Sequence, residues 1–221
     1  MESLLVKDVT YSYRNKYQTV HALNGVSAEF EPGKMYAIIG ASGCGKTTFL
    51  SLLAGLDVPE GGSIEWKGET TSSMDRDRYR RESASVIYQN FNLFQHLTVL
   101  ENAAYPLYMR NMPKKDAEME AKEKLLSVGL KEGQFGRLPN MLSGGEQQRV
   151  AIARALASGS RIILADEPTG NLDSENGKNI VEILKRLAHA DNCCVVIVTH
   201  DSAVAAEADV VLKMRDGRLE E

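Results

Sequence analysis

Eight consecutive residues, Gly40-Ala41-Ser42-Gly43-Cys44-Gly45-Lys46-Thr47, carry the clearest chemistry in the chain. Glycines let the backbone curl until successive N–H groups point inward as a cradle for an anion. A helix that follows adds the partial positive charge of its N-terminus. In such a loop Lys46 reaches the β- and γ-phosphates of a nucleotide, Thr47 offers its hydroxyl to Mg²⁺, and Thr48 continues the site. The pattern has this meaning only between a strand and a helix. Met35 to Ile39 is a short apolar run that reads as a buried strand, and Thr47 to Gly55 reads as a helix stopped by glycine. A glycine-rich turn that bound nothing would not need that setting.

A second group stands in Ile162-Ile163-Leu164-Ala165-Asp166-Glu167, an apolar strand ending in two carboxylates. Asp166 is placed to hold Mg²⁺ through its water shell, and Glu167 to polarise a water in line with the γ-phosphate. Phosphoryl transfer is mostly positioning and charge neutralisation, so one acid on the metal side and one on the water side suffice. Taken alone, the pair reads equally well as an acidic loop after a core strand; the phosphate loop tips the reading toward function. Val195 to Thr199 is another buried run, followed by His200. Ligand groups in open parallel sheets gather at the carboxyl ends of strands. Gly40, Asp166 and His200 all stand at such ends and are expected to converge, with His200 against the γ-phosphate.

The elements that must position these residues follow from patterning. Leu4 to Tyr13 and His21 to Phe30 read as strands, Gly61-Gly62 as a turn, and Ser63 to Trp66 as a further strand. Pro113 to Leu130, Glu146 to Ala157 and Asn179 to Ala190 carry helical spacing. Arg161 to Ala165 and Cys193 to Thr199 read as buried parallel strands. The β-α-β alternation argues for an α/β core with a parallel sheet, interrupted by a mostly helical stretch from about 90 to 159. The 221 residues suit one such domain with lobes. A net charge of −4 gives no sign of the basic face that a nucleic-acid binder needs. Cys44, Cys193 and Cys194 form no disulfide pattern and are expected as free thiols in a reducing compartment. The start, Met1-Glu2-Ser3, has none of the marks of a signal peptide. The apolar runs are far shorter than the roughly 20 residues that span a bilayer, so a membrane role must come through a partner.

Leu142-Ser143-Gly144-Gly145-Glu146-Gln147-Gln148-Arg149 forms another anion nest: a hydroxyl, two glycines and an immediate helix start. An ordinary helix cap would account for the serine but not for two glycines. The segment resembles the signature motif of ABC-family ATPases, and the resemblance covers essentially the whole chain with the motifs in family order. It implies an α/β P-loop NTPase (RecA-like) core, spanning about 1–89 and 160–221 with an N-terminal antiparallel β subdomain, and an inserted helical subdomain over about 90–159. Tyr13 matches the aromatic that stacks on adenine, with Tyr11 and Tyr17 as rivals. Gln89 matches the glutamine that touches Mg²⁺ and the attacking water, against a plain reading as an exposed strand end. Asp173, in Pro168-Thr169-Gly170-Asn171-Leu172-Asp173, matches a residue facing a second subunit, and His200 matches the family's switch histidine. Two departures are small: Cys44 stands where serine or alanine is usual, and Glu146 where many members carry glutamine.

The resemblance also implies a mechanism. Ser143, Gly144 and Gly145 of one copy close over ATP held by the other, with Glu146 also among the nucleotide-binding residues, so that two ATPs with Mg²⁺ are sandwiched in a symmetric homodimer. The helical lobe and the loop after Gln89 then drive an ABC membrane permease, with the ATPase peripheral on the cytoplasmic face. Ala54-Gly55-Leu56-Asp57, Gln89-Asn90-Phe91-Asn92-Leu93 and Leu164 to Asp173 are similar to the subgroup serving lipoprotein release, macrolide and peptide export, and cell division. A complex that transmits force or senses antibiotics without transport is the alternative. A DNA- or ribosome-directed ABC ATPase would carry long coiled-coil insertions or a second ATPase domain, and a small-molecule kinase would not need Leu142 to Arg149. The cargo and its direction belong to the permease.

Overall fold

The computed structural model describes residues 3–220, so Met1 and Glu2 of the N-terminal reading lie outside it. Alternating β-formers make β1 (Leu4–Arg14) and β2 (Thr19–Phe30), which pair antiparallel. The all-apolar β3 (Met35–Ile39) follows, and the phosphate loop leads into α1 (Lys46–Leu53). Then come β4 (Gly61–Trp66), β5 (Glu69–Thr70), α2 (Arg76–Glu82) and β6 (Ala84–Ile87). The helices α3 (Val99–Met109), α4 (Lys114–Ser127) and α5 (Gly144–Ala157) pack on one another within the stretch expected to be helical. The chain closes with β7 (Ile162–Asp166), α6 (Ser174–His189), β8 (Cys194–Thr199), α7 (Ser202–Ala205), β9 (Val210–Arg215) and β10 (Arg218–Glu220).

Two sheets result. One is antiparallel, in the order β2-β1-β4-β5. The other runs β10-β9-β3-β8-β7-β6, with β9, β3, β8, β7 and β6 parallel and β10 returning antiparallel beside β9. Side chains alternate across a strand, and the buried strands divide their residues between two cores. Ile163, Ala165, Val195 and Ile197 join a core built with α3, α4, α5 and α6. Ile162, Leu164, Cys194, Val196 and Val198 join a second core with β1, β2, β4 and α1. The three cysteines are free, and burial pushes the Cys194 thiol up to about 12.

One expectation fails locally. Gly61 and Gly62 are not a turn but the start of β4, paired with β1. Opposite them β1 bulges at Asp8, which has φ 47°, while Gly62 has φ 75°. A Cβ on Gly62 would stand 2.2 Å from the Lys7 carbonyl oxygen, so the glycine is required by a bulge. The remaining predicted strands and helices are found with shifted ends, most of all α6, which starts at Ser174 where helical spacing predicted Asn179.

Candidate functional site

The phosphate loop leaves the carboxyl end of β3 and passes two glycines that the packing demands. A Cβ on Gly40 would lie 2.2 Å from the Met214 carbonyl oxygen, and one on Gly45 would lie 2.5 Å from that of Ala22. Gly45 caps α1 with φ 111°, a left-handed conformation that glycine adopts without steric cost. Lys46 is buried, and its Nζ donates to the Gly40 and Ala41 carbonyls at 2.8 and 3.0 Å. The Cys44 sulfur lies 4.0 Å from the same Nζ.

The parallel strand β7, separated from β3 by β8, delivers both acids beside this loop. Thr47 Oγ1 donates to Asp166 Oδ1 at 3.4 Å. Burial raises the Asp166 carboxyl above its ordinary value; the Thr47 hydrogen bond opposes this, and the Glu167 charge adds to it. Glu167 sits in the left-handed region with φ 47°, and its N–H donates to the Val198 carbonyl at 2.9 Å. Its Oε2 accepts from Thr199 Oγ1 at 3.2 Å, and its Oε1 is 2.7 Å from His200 Nδ1. That hydrogen bond, with the Glu167 charge, raises the His200 imidazole above its ordinary value.

Tyr13, Ser42, Gly43, Gly45, Lys46, Thr47, Thr48, Gln89, Asp166, Glu167 and His200 line a single open cleft of about 690 Å³. Of Tyr11, Tyr13 and Tyr17, Tyr13 lines this cleft. Its hydroxyl is 3.2 Å from Thr48 Oγ1 and its ring is half exposed at the cleft mouth. Tyr11 packs against the core and meets Tyr13 edge-on at 5.2 Å, and Tyr17 is 89% exposed outside the cleft. Gly40, Ala41 and Cys44 face a separate cleft with Met214 and Arg215 on the loop's other side. Val20, His21 and Ala22 also line the main cleft and were missed by sequence reasoning. The signal for them is the hairpin register, which sets His21 opposite Ser12 and Val20 opposite Tyr13.

Ser143, Gly144, Gly145, Glu146 and Asp173 lie outside this cleft. Ser143 caps α5 through a reciprocal box: Glu146 N donates to Ser143 Oγ at 3.3 Å, and Ser143 N donates to Glu146 Oε2 at 2.8 Å. The bond from the Ser143 amide holds the Glu146 carboxyl below the usual carboxylate range, and Gln134 Nε2 also donates to it. Expected among the nucleotide-binding residues, Glu146 thus has its carboxylate engaged inside its own subunit. The two glycines differ in degree. A Cβ on Gly145 would stand 2.5 Å from Asn176 Oδ1 and 2.7 Å from its Cγ on α6, so any larger residue there must displace that side chain. A Cβ on Gly144 would meet a Leu172 methyl at 3.3 Å, a close contact that needs that side chain to give by a few tenths of an ångström. Asp173 caps α6, accepting from the Glu175 and Asn176 amides.

The donor set fits Mg²⁺ held together with a phosphate chain. Among the described residues no group of three or more His, Cys, Asp or Glu makes a self-contained cation site. Thr47 and Asp166 offer one hydroxyl and one carboxylate, the sparse set Mg²⁺ takes when phosphate oxygens and water complete its shell.

The ABC transporter family pattern matches residues 23–170. The chain is 39% identical over 217 residues to the ABC transporter ATP-binding protein YclH of Bacillus subtilis, covering 98% of this chain and 95% of that one. It is 41% identical over 219 residues to the macrolide export ATP-binding/permease protein MacB of Escherichia coli, covering 98% of this chain but only 34% of MacB. Among solved structures, the dimeric structure of MJ0796, a bacterial ABC transporter cassette, superposes with a TM-score of 0.91 at 38% identity over 99% of this chain and 97% of that one. A dimeric post-hydrolysis state of MJ0796 bound to ADP and Pi superposes equally well. With the phosphate loop, the two strand-end acids and the histidine in one cleft of an α/β P-loop fold, this chain belongs to the ABC transporter family as one of its ATP-binding, ATP-hydrolysing cassettes.

Proposed function

We propose that this cassette dimerises around two ATPs and drives a membrane permease, in export or other work on the far side of the membrane. The observation that carries this reading is a half-complete site. One cleft holds Lys46, Thr47, Asp166, Glu167 and His200, while the Ser143–Gly145 nest lies outside it. A second copy would bring its Ser143, Gly144 and Gly145 over the γ-phosphate, with Asp173 at the shared face. MacB supports the export reading by its name, and its permease part supports a permease partner. Among the described residues no helix is long and apolar enough to cross a membrane.

Within the cleft Tyr13 faces the adenine, the loop amides and Lys46 bind the phosphates, and Thr47, Asp166 and Gln89 hold Mg²⁺. Mg²⁺ held there would supply neutralisation of the charge that develops on the phosphates. Glu167 orients the attacking water and takes its proton, and His200, hydrogen-bonded to Glu167, contacts the γ-phosphate.

The test is Glu167→Gln, assayed for turnover and run on a sizing column with and without ATP and Mg²⁺. Loss of a general base costs about 10²–10⁴-fold in turnover. Slow turnover with an ATP-dependent shift from monomer to dimer is the expected result. Full-rate turnover would remove Glu167 from its role, and absence of any ATP-dependent dimer, even with the permease present, would remove the sandwich.

A further inference from the structure

Gln89 is placed by residues that its own role does not name. It follows β6 on an exposed segment, so its side chain has no core packing to fix it. What fixes it comes from two other parts of the chain. The Asn171 carboxamide uses both of its ends on the segment: Nδ2 donates to the Gln89 carbonyl at 3.0 Å and to Asn90 Oδ1 at 3.1 Å, while Oδ1 lies 3.5 Å from Gln89 Nε2. Next to it, a Cβ on Gly170 would stand 2.7 Å from Gln89 Nε2 and 3.3 Å from its Cδ. The Gln89 side chain therefore lies in the space that a side chain at position 170 would fill.

The far end of the segment is held separately. Phe91 and Asn92 are consecutive left-handed residues, with φ 59° and 46°. A bulky residue takes that conformation only where its surroundings impose it. Arg154 of α5 does so, donating to the Phe91 carbonyl at 3.1 Å and to the Asn92 carbonyl at 2.7 Å. The helix that Ser143 caps thus anchors one end of the segment, and the Gly170–Asp173 stretch holds the end that carries Gln89.

We propose that Asn171, with Gly170 leaving room beside it, is a positioning residue that holds Gln89 at the rim of the cleft and ties its placement to the stretch leading to Asp173. The proposal rests on the assignment of Gln89 made under Proposed function. It concerns residues that touch neither nucleotide nor metal. Any movement of Asp173 against a second copy would reach Gln89 through a single carboxamide two residues away.

The test is a double-mutant cycle read in kcat and in the Kd for ATP. Asn171→Ala removes the tether. Asn171→Asp keeps its size but turns acceptor oxygens toward the Gln89 carbonyl and Asn90 Oδ1. Gly170→Ala adds a methyl against the Gln89 amide at a backbone conformation open to any residue. Each is expected to lower kcat by about 10- to 100-fold, the scale of a displaced positioning group, with Kd for ATP and thermal midpoint little changed because these side chains are exposed. In a Gln89→Ala background the same three changes are expected to cost nothing further. Losses that add to that of Gln89→Ala, or single variants with full kcat, would overturn the proposal while leaving Gln89 in its role. Full kcat in Gln89→Ala alone would overturn the Gln89 assignment and the proposal with it.

Discussion

Lys46 spends two of its three ammonium protons on the Gly40 and Ala41 carbonyls, which leaves one to reach toward a phosphate. Removing it takes a brace from the loop and, in the proposed role, a phosphate contact as well. Lys46→Ala is expected to weaken ATP binding by about 10- to 100-fold, the equivalent of losing roughly 1.5–3 kcal/mol of charge-assisted hydrogen bonding. Titration with a fluorescent ATP analogue checks this, and unchanged affinity would contradict the loop's assignment. At this scale much was legible, because the types carry their chemistry: a lysine after three glycines, acids at a strand end. What stayed hidden was whatever depends on a partner across space. Nothing at Asn171 or His21 in the sequence says which residue each will face. Glu146 is expected among the nucleotide-binding residues, and in the structure its carboxylate closes the cap of α5.

At the scale of elements, β3 must be anchored at its start if it is to deliver the loop at its end. Asp209 does this: its Oδ2 accepts from the Met35 amide at 2.7 Å, and His189 Nε2 lies 2.9 Å from the same oxygen. The Met35 hydrogen bond, followed by that with His189, holds the Asp209 carboxyl below the usual carboxylate range. A depressed folded-state value contributes stability above the unfolded value and loses it as pH falls through the folded one. Asp209→Asn keeps an acceptor but no charge. It is expected to cost about 1 kcal/mol near neutrality, trimmed by the partial exposure of the group. The gap to the parent should close as pH drops below the carboxylate range, and thermal unfolding across pH checks it. The buried strands β3, β7 and β8 were legible as apolar runs, since both of their faces are covered. By contrast α2, β5 and β10 are short and largely polar, and the short β9 runs Val210-Val211-Leu212-Lys213-Met214-Arg215 without clean alternation, so none gave a periodic signal. Gly61-Gly62 was misread because a bulge and a turn ask for the same residue.

For the whole molecule, the separation of cleft and nest makes a prediction about mixing copies. Lys46→Ala spoils the cleft, and Gly144→Asp places a carboxylate where the nest would meet phosphate, at a position where a Cβ asks only a small shift of the Leu172 methyl. Neither variant alone is expected to turn over ATP at the normal rate. In a mixed dimer one site combines both defects and the other combines neither, so mixing is expected to restore part of the activity. Steady-state turnover across mixing ratios checks this, and no recovery at any ratio would mean that each subunit completes its own site. The two hydrophobic cores carry a consequence of their own. They share β7 and β8 as a common wall, with alternate residues pointing into each. Stripping either core would leave half of that wall wet, so the lobes cannot melt independently and the strands that bear Asp166 and His200 sit where opening costs most. Amides of β3, β7 and β8 should exchange slowest and together in hydrogen exchange. On heating, the protein should keep its grip on ATP until the whole fold gives way.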